Sequence, residues 1–212
     1  MFGGTFDPVH LGHLRSAVEV REVLELDRLH MIPAPQPPLR DRPQVAPLTR
    51  LELLEAGIGD TPGLVADGRE LERSGPSYTV DTLKELRQEY GDEARLVMVV
   101  GLDAFLRLGQ WRDPQRLFEL AHVVVLDRPD SPQHSHAPLP DAPWELLGDR
   151  EVDSVAKLMQ RPGGGLLHLR LPSRMAISAT EIRRRLASGL SVRYLLAEAV
   201  ERRIQAKHLY RG

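Results

Sequence analysis

Two stretches of this chain, Arg95-Leu-Val-Met-Val-Val-Gly101 and His122-Val-Val-Val-Leu126, are apolar without alternation. A strand with one wet face alternates apolar and polar residues. A strand that is apolar throughout is buried on both faces, and that demands helices above and below a parallel sheet. The segments around these runs supply the helices. Leu11 to Leu26 repeats Leu14, Ala17, Val18, Arg21 and Leu24 at helical spacing. Pro47 to Gly57 places Pro47 in a first turn and aligns Leu48, Leu51, Leu54 and Ile58. A turn from Ser74 feeds a helix running to about Tyr90, and Asp113-Pro114 opens another that ends near Ala121. Shorter strands are predicted at Arg28–Ile32, at Leu64–Ala66 and, as an alternating last strand, at Leu166–Leu171. The predicted fold is α/β, a Rossmann-like doubly wound parallel sheet, with 1–212 as a single domain and 130–165 as a loop and helical insertion within it. A basic amphipathic helix from Ser191 to Lys207 closes the chain.

Bulk properties exclude several functions. The 212 residues are 42% hydrophobic and 27% charged, ordinary globular values for a chain that can bury its own core. A net charge of -2 gives no overall positive field, so neither nucleic acid nor an anionic membrane is an expected partner. Cysteine is absent, which removes disulfides and thiolate chemistry and fits a reducing, cytoplasmic location. The apolar runs are far too short to span a membrane. Homo-oligomerisation is left open.

Chemistry is concentrated in the first fifteen residues. Gly3 and Gly4 permit a tight turn and close backbone approach to a ligand, and Thr5 and Phe6 follow with N–H groups. His10 and His13 fall at a helix start, where backbone N–H groups and the helix dipole favour an anion, and their i, i+3 spacing sets both imidazoles on one face. Gly12 leaves that face open. A capping histidine beside a packed one, or a two-histidine metal site, would use the same residues, although only Asp7 lies nearby as a further ligand.

A second anion receptor is written into Ile177-Ser-Ala-Thr-Glu-Ile-Arg183. Ser178 followed by Glu181 is a capping box, and Ser178, Thr180 and the planar fork of Arg183 together suit phosphate oxygens. Arg184 and Arg185 point elsewhere on the helix and are expected in solvent. Gly101 and Asp103, at a strand's C-terminal edge, suit ribose hydroxyls, or Asp103 caps the helix expected from Ala104 to Leu108. Ser77 or Thr79 can cap the helix that follows Tyr78. His134 and His136 lie in a Pro- and Ser-rich stretch where solvent exposure is the ordinary outcome.

Taken whole, Gly3-Gly-Thr-Phe-Asp-Pro-Val-His-Leu-Gly-His13 resembles the H-x-G-H nucleotidyltransferase signature, and specifically that of the bacterial nicotinate-mononucleotide adenylyltransferases. The Ile177–Arg183 run is similar to that family's second signature, with Ala179 in place of a frequent serine. Ile32-Pro33, Pro37-Pro38 and Arg40 match its proline loop, where Leu39 replaces a histidine. Pro76-Ser-Tyr-Thr79, Trp111-Arg112 and Arg128-Pro129 match its pyridine-site motifs. Several apolar residues normally precede the glycines in the family, and here only Met1 and Phe2 do. The expectation is that such residues belong upstream.

The resemblance implies AMP transfer from ATP to nicotinate mononucleotide, giving deamido-NAD and pyrophosphate. It implies that His10 and His13 donate to the α-phosphate and that Ser178, Thr180 and Arg183 hold the departing phosphates. Gly3, Gly4, Thr5, Phe6, Arg40, Gly101 and Asp103 complete the ATP site. Thr79, Trp111, Arg112 and Arg128 take the nicotinate nucleotide, with Mg²⁺ riding on the ATP phosphates and no dedicated metal ligands. The attacking phosphate monoester is already largely dianionic at neutral pH, so no general base is needed. A nearby phosphate is expected to favour protonated histidine. Other H-x-G-H adenylyltransferases, acting on nicotinamide mononucleotide or pantetheine phosphate, and a non-catalytic nucleotide sensor are the alternatives.

Overall fold

The computed structural model describes residues 1–36, 42–126, 147–173 and 175–211. Its strands are β1 (Phe2–Gly4), β2 (Leu29–Pro33), β3 (Leu64–Ala66), β4 (Val97–Gly101), β5 (His122–Leu126) and β6 (Leu166–Leu169). Its helices are α1 (Leu11–Val23), α2 (Pro47–Ile58), α3 (Thr79–Tyr90), α4 (Leu102–Phe105), α5 (Pro114–Leu120), α6 (Val155–Leu158), α7 (Ala179–Ala187) and α8 (Glu198–Ala206). The chain gathers into two compact units, Met1 with Ser77–Leu171, and Phe2–Pro76 with Pro172–Gly212.

In the unit that contains both chain ends beyond Met1, the strands lie in the order β3-β2-β1 and pair in parallel. The two glycines are part of this ladder: Gly3 pairs with Ile32 and Gly4 with Pro33. The tight turn expected at the glycines therefore lies further on, at Thr5–Pro8, where Phe6 takes a left-handed backbone with φ 46°. Pairing with the five-residue β2 draws the glycines into the sheet. Gly4 is still required, because a Cβ there would stand 2.7 Å from the Phe6 ring.

α1 is shorter than the pattern suggested, ending at Val23, and its inner face carries Glu19 as well as Leu14, Ala17 and Val20. α2 buries Arg50, Leu53, Leu54 and Ile58, whereas Leu48 is 66% exposed. The expected stripe was thus displaced around the helix, because a buried arginine occupies the inner face. The final helix starts at Glu198, not Ser191; Val192 and Leu196 are buried from an irregular segment ahead of it.

The other unit pairs β4, β5 and β6 in parallel, with Val97–Gly101 aligned on His122–Leu126 and Leu126 reaching Leu169. Val97–Gly101 of the first apolar run and the whole of the second are strands, buried along their length apart from the exposed Gly101, and Arg95 and Leu96 lie ahead of β4. β6 stops at Leu169 and is buried at three of its four positions, so it reads as a covered strand and not as an alternating one. Leu83, Phe105, Leu117, Phe118, Val123 and Val125 form the core between this sheet and its helices. Met1 belongs here, its ammonium donating to Val97 O at 2.5 Å and its carbonyl accepting from Val99 N–H at 2.9 Å. Asp113 stands at the N-cap of α5 with φ 50° and makes no side-chain cap. Tyr78, in the corresponding position of α3, likewise makes no side-chain cap.

Candidate functional site

The first receptor is assembled from the loop between β1 and α1. Phe6 is 1% exposed, and its ring meets Phe2 edge-on at 6.1 Å and His13 edge-on at 5.0 Å. A phenylalanine with positive φ persists only where its surroundings hold it, and here the ring serves as the floor on which His13 stands. His10 and His13 stack, with centroids 3.6 Å apart and planes 22° from parallel. Gly12 makes the stack possible: a Cβ there would press on His10 Nδ1 at 3.0 Å.

His10 is the N-cap of α1, with Nδ1 accepting from the His13 backbone N–H at 3.3 Å. The capping and packing roles are therefore both present, alongside any chemistry. Because Nδ1 accepts, the proton of the neutral ring sits on Nε2. Burial lowers the His10 pKa from 6.5 to about 4. With no anion beside it, burial favours the neutral form of His10; the protonation expected of a histidine next to phosphate concerns the ligand-bound site. The Leu11 N–H is also used, by the Leu195 carbonyl at 3.0 Å. The start of α1 thus offers imidazole edges more than helix amides.

The second receptor lies in the same unit. Ser178 caps α7, its Oγ accepting from Glu181 N–H at 3.2 Å. The Glu181 carboxylate turns to Arg184, accepting from Nε at 2.8 Å and Nη2 at 2.7 Å. Ser178, Thr180 and Arg184 face solvent, and Arg185 donates to Ser191 O at 2.8 Å. Arg183 points the other way. Its Nη1 donates to the Asp7 carbonyl at 2.8 Å and its Nη2 to Thr180 Oγ1 at 3.3 Å. The helix beginnings that carry His10 and Ser178 therefore meet at one loop, Thr5–Pro8.

Three buried polar residues around this site escaped the sequence reading, and two of them, Arg50 and Tyr210, hold the loop itself. Arg50, 0% exposed, donates to Thr5 O at 2.5 Å, Pro35 O at 2.8 Å and Val45 O at 3.2 Å. Its helical register with Leu53, Leu54 and Ile58 was a signal, masked by its charge. Glu19, 1% exposed, accepts from Arg15 Nε at 2.8 Å and from Ser173 N–H at 3.0 and 3.2 Å, tying α1 to the segment that leads into α7. Tyr210 donates to Asp7 Oδ1 at 2.8 Å.

In the other unit, Gly101 ends β4 as the N-cap of α4, and Asp103 lies in that helix's first turn, not at its cap. α4 ends at Phe105, short of the Leu108 expected. The Trp111 side chain packs against the core cluster, and the Arg112 guanidinium lies 4.6 Å over the Tyr78 ring, next to Thr79 at the start of α3. Arg40, Leu39, Arg128, His134 and His136 lie outside the described residues. Among the described residues no group of three or more His, Asp or Glu side chains is placed to hold a metal ion, and no helix is long and apolar enough to cross a membrane.

Residues 1–185 match the family model described as cytidylyltransferase-like. A Chromohalobacter salexigens protein named "Probable nicotinate-nucleotide adenylyltransferase" is 61% identical over 210 residues, covering 99% of this chain and 94% of its own. A Methylococcus capsulatus protein of the same name is 47% identical over 211 residues, covering 99% and 98%. Among solved structures, Plasmodium falciparum nicotinic acid mononucleotide adenylyltransferase complexed with NaAD superposes with a TM-score of 0.68 at 14% identity, covering 99% of this chain and 95% of that one. The same enzyme complexed with APC gives 0.66 at 14% identity, over 99% and 94%. These structures establish the fold as the Rossmann-like, doubly wound α/β type expected. The chain belongs to the cytidylyltransferase-like family and, within it, to the nicotinate-nucleotide adenylyltransferases.

Proposed function

We propose that this protein transfers AMP from ATP to nicotinate mononucleotide, releasing pyrophosphate and forming deamido-NAD in the cytoplasm. The observation that carries the reading is the meeting of two helix starts at the Thr5–Pro8 loop, with stacked imidazoles on one and an inward arginine on the other. Such a site needs no base. Its nucleophile is a phosphate dianion, and what remains is to align two anions and offset the charge that builds on the α-phosphoryl group and the leaving pyrophosphate.

In this reading the Nε2–H of His10 and the ring of His13 donate to α-phosphate oxygens, with the backbone from Gly3 to Phe6 alongside. Ser178, Thr180 and Arg183 hold the leaving phosphates. Arg40 is assigned to the same nucleotide, and Gly101 and Asp103 to ribose hydroxyls. Thr79, Trp111, Arg112 and Arg128 are assigned to the nicotinate nucleotide: the indole to the ring face and the N–H that follows it to the ring carboxylate. The donor set fits a metal carried by substrate, since Asp7, the carboxylate in the loop ahead of His10, already accepts from Gln44 N–H and Tyr210. Mg²⁺ bound to the phosphates would neutralise part of their charge, and the chain's own residues orient them.

The test is incubation with ATP, Mg²⁺ and either nicotinate or nicotinamide mononucleotide, following pyrophosphate release and dinucleotide formation. Release with the acid form at least about tenfold faster than with the amide supports the assignment. Equal rates, or none, would overturn it. The relatives named for the acid substrate favour that arm.

A further inference from the structure

The end of the chain returns to the phosphate loop. α8 closes with His208 N–H donating to Gln205 O at 3.2 Å and Leu209 N–H to Ile204 O at 3.0 Å. His208 and Tyr210 take left-handed backbone, with φ 51° and 58°. This reversal seats the Tyr210 ring at 7% exposure and brings its hydroxyl 2.8 Å from Asp7 Oδ1, 203 positions earlier in the chain.

Asp7 is itself 4% exposed, so its oxygens must find donors within the protein. Oδ1 has the Tyr210 hydroxyl, and Oδ2 has the Gln44 N–H at 2.9 Å. Arg183 Nη1 stands 4.0 Å from Oδ2 and gives its hydrogen bond to the Asp7 carbonyl instead. The guanidinium is thus attracted to the carboxylate but not captured by it. A buried carboxylate deprived of one donor would recover its loss by closing on the guanidinium in a charge-assisted pair, and arginine is the side chain best shaped for that.

We infer that Tyr210 is a positioning residue for the phosphate receptor: by holding Asp7 Oδ1 it fixes the orientation of the carboxylate, keeps Oδ2 at 4.0 Å from Arg183 Nη1 and leaves the guanidinium for an anion. The inference rests on the reading of Arg183 as an anion-binding group. Burial raises the phenol's pKa, with the charge and hydrogen bond of Asp7 adding to the effect, so the hydroxyl remains a donor at every working pH. The lever is long. α8 packs on α2, joined by the Lys207–Glu52 ion pair, and α2 sends Arg50 to the same loop.

The experiment is calorimetric titration of the full-length protein with magnesium tripolyphosphate, which reads the receptor without requiring turnover. Tyr210→Phe keeps the ring in its seat and removes one hydroxyl. It should weaken binding about 5- to 10-fold, the scale of one hydrogen bond. In an Asp7→Asn background the same change should cost less than about twofold, because a neutral amide has no charge with which to capture Arg183. Asp7→Asn alone should bind tripolyphosphate at least as tightly as wild type. Equal losses in both backgrounds would mean a merely structural tyrosine, and would overturn the inference. So would wild-type affinity in Tyr210→Phe, a weakening of about fivefold or more in Asp7→Asn alone, or no binding by the wild type. A protein that binds tripolyphosphate as described but makes no dinucleotide would remove the proposed reaction and leave the role of Tyr210 standing.

Discussion

Arg183 Nη1 donates to the Asp7 carbonyl at 2.8 Å across 176 positions of sequence. That bond ties the second helix start to the loop in front of the first. It also fixes the guanidinium plane, because Nη2 is directed to Thr180 Oγ1 at the same time. A lysine could satisfy one of these acceptors, but not both while also meeting phosphate. Arg183→Lys is therefore expected to lower kcat for adenylyl transfer by about 10²-fold, with little change in the KM for nicotinate mononucleotide. A lysine variant within fivefold of wild-type kcat would show that the arginine does not act on the leaving group.

His13 stands between the Phe6 edge and the His10 face, so its ring cannot rotate freely in search of a ligand. Such a preset donor contributes most where charge develops, in the transition state. His13→Ala should reduce kcat by about 10²-fold or more while changing the KM for ATP only modestly. Steady-state kinetics with ATP varied will separate the two parameters. A large rise in that KM with kcat preserved would reassign the ring to ground-state binding.

Much of this arrangement could be read from the chain before folding, and the exceptions share a cause. The β4 and β5 runs and the Ser178 cap follow from local patterns of one element, and each appears within about two residues of its expected place. Gly3 and Gly4 were misread because a glycine pair signals a turn locally, whereas pairing with Ile32 and Pro33 is decided thirty residues away. Phe6 carries no residue-type signal for left-handed backbone, and its conformation follows from the packing of its ring. Arg50 and Tyr210 are polar groups in buried positions whose acceptors, the Thr5 carbonyl and the Asp7 carboxylate, lie on a distant segment. The polarity of a residue in its own helix cannot reveal such a partner.

Arg50 offers a stability test of that point. Removing its side chain would leave the carbonyls of Thr5, Pro35 and Val45 without this donor and open a void in the core. Arg50→Ala should cost about 3 kcal/mol or more in unfolding free energy, measured by denaturant titration, with loss of activity at temperatures where the wild type is stable. A cost below about 1 kcal/mol would show that water replaces the guanidinium without harm.

Trp111 lies against the core cluster while the adjacent guanidinium covers Tyr78, so the segment 111–112 is fixed from both sides. If its indole meets the pyridine ring, Trp111→Ala should raise the KM for nicotinate mononucleotide about tenfold and leave that for ATP within twofold. Loss of ATP affinity alone would place the residue in the other half of the reaction.

The buried imidazoles predict how stability depends on pH. His10 has its pKa lowered from 6.5 to about 4 by burial. His122 is lowered as well, chiefly by burial, with Arg161, Arg87 and Arg95 adding to it, while its ring is held by Arg161 O at 2.8 Å and Gly165 N–H at 3.0 Å. A base that titrates lower when folded leaves the unfolded chain binding more protons as acid is added. The stability it contributes is therefore complete above pH 6.5 and declines as pH falls toward 4, by up to about 3 kcal/mol for His10 alone. Melting temperatures should drop across that window, and His10→Asn, which retains a capping side chain, should flatten the slope. Saturating tripolyphosphate should flatten it too, because an anion against the ring favours the charged form and raises the folded pKa. A profile level between pH 6.5 and 4.5 in the wild type would mean that His10 protonates as readily folded as unfolded, and with it would go the neutral ring that burial favours.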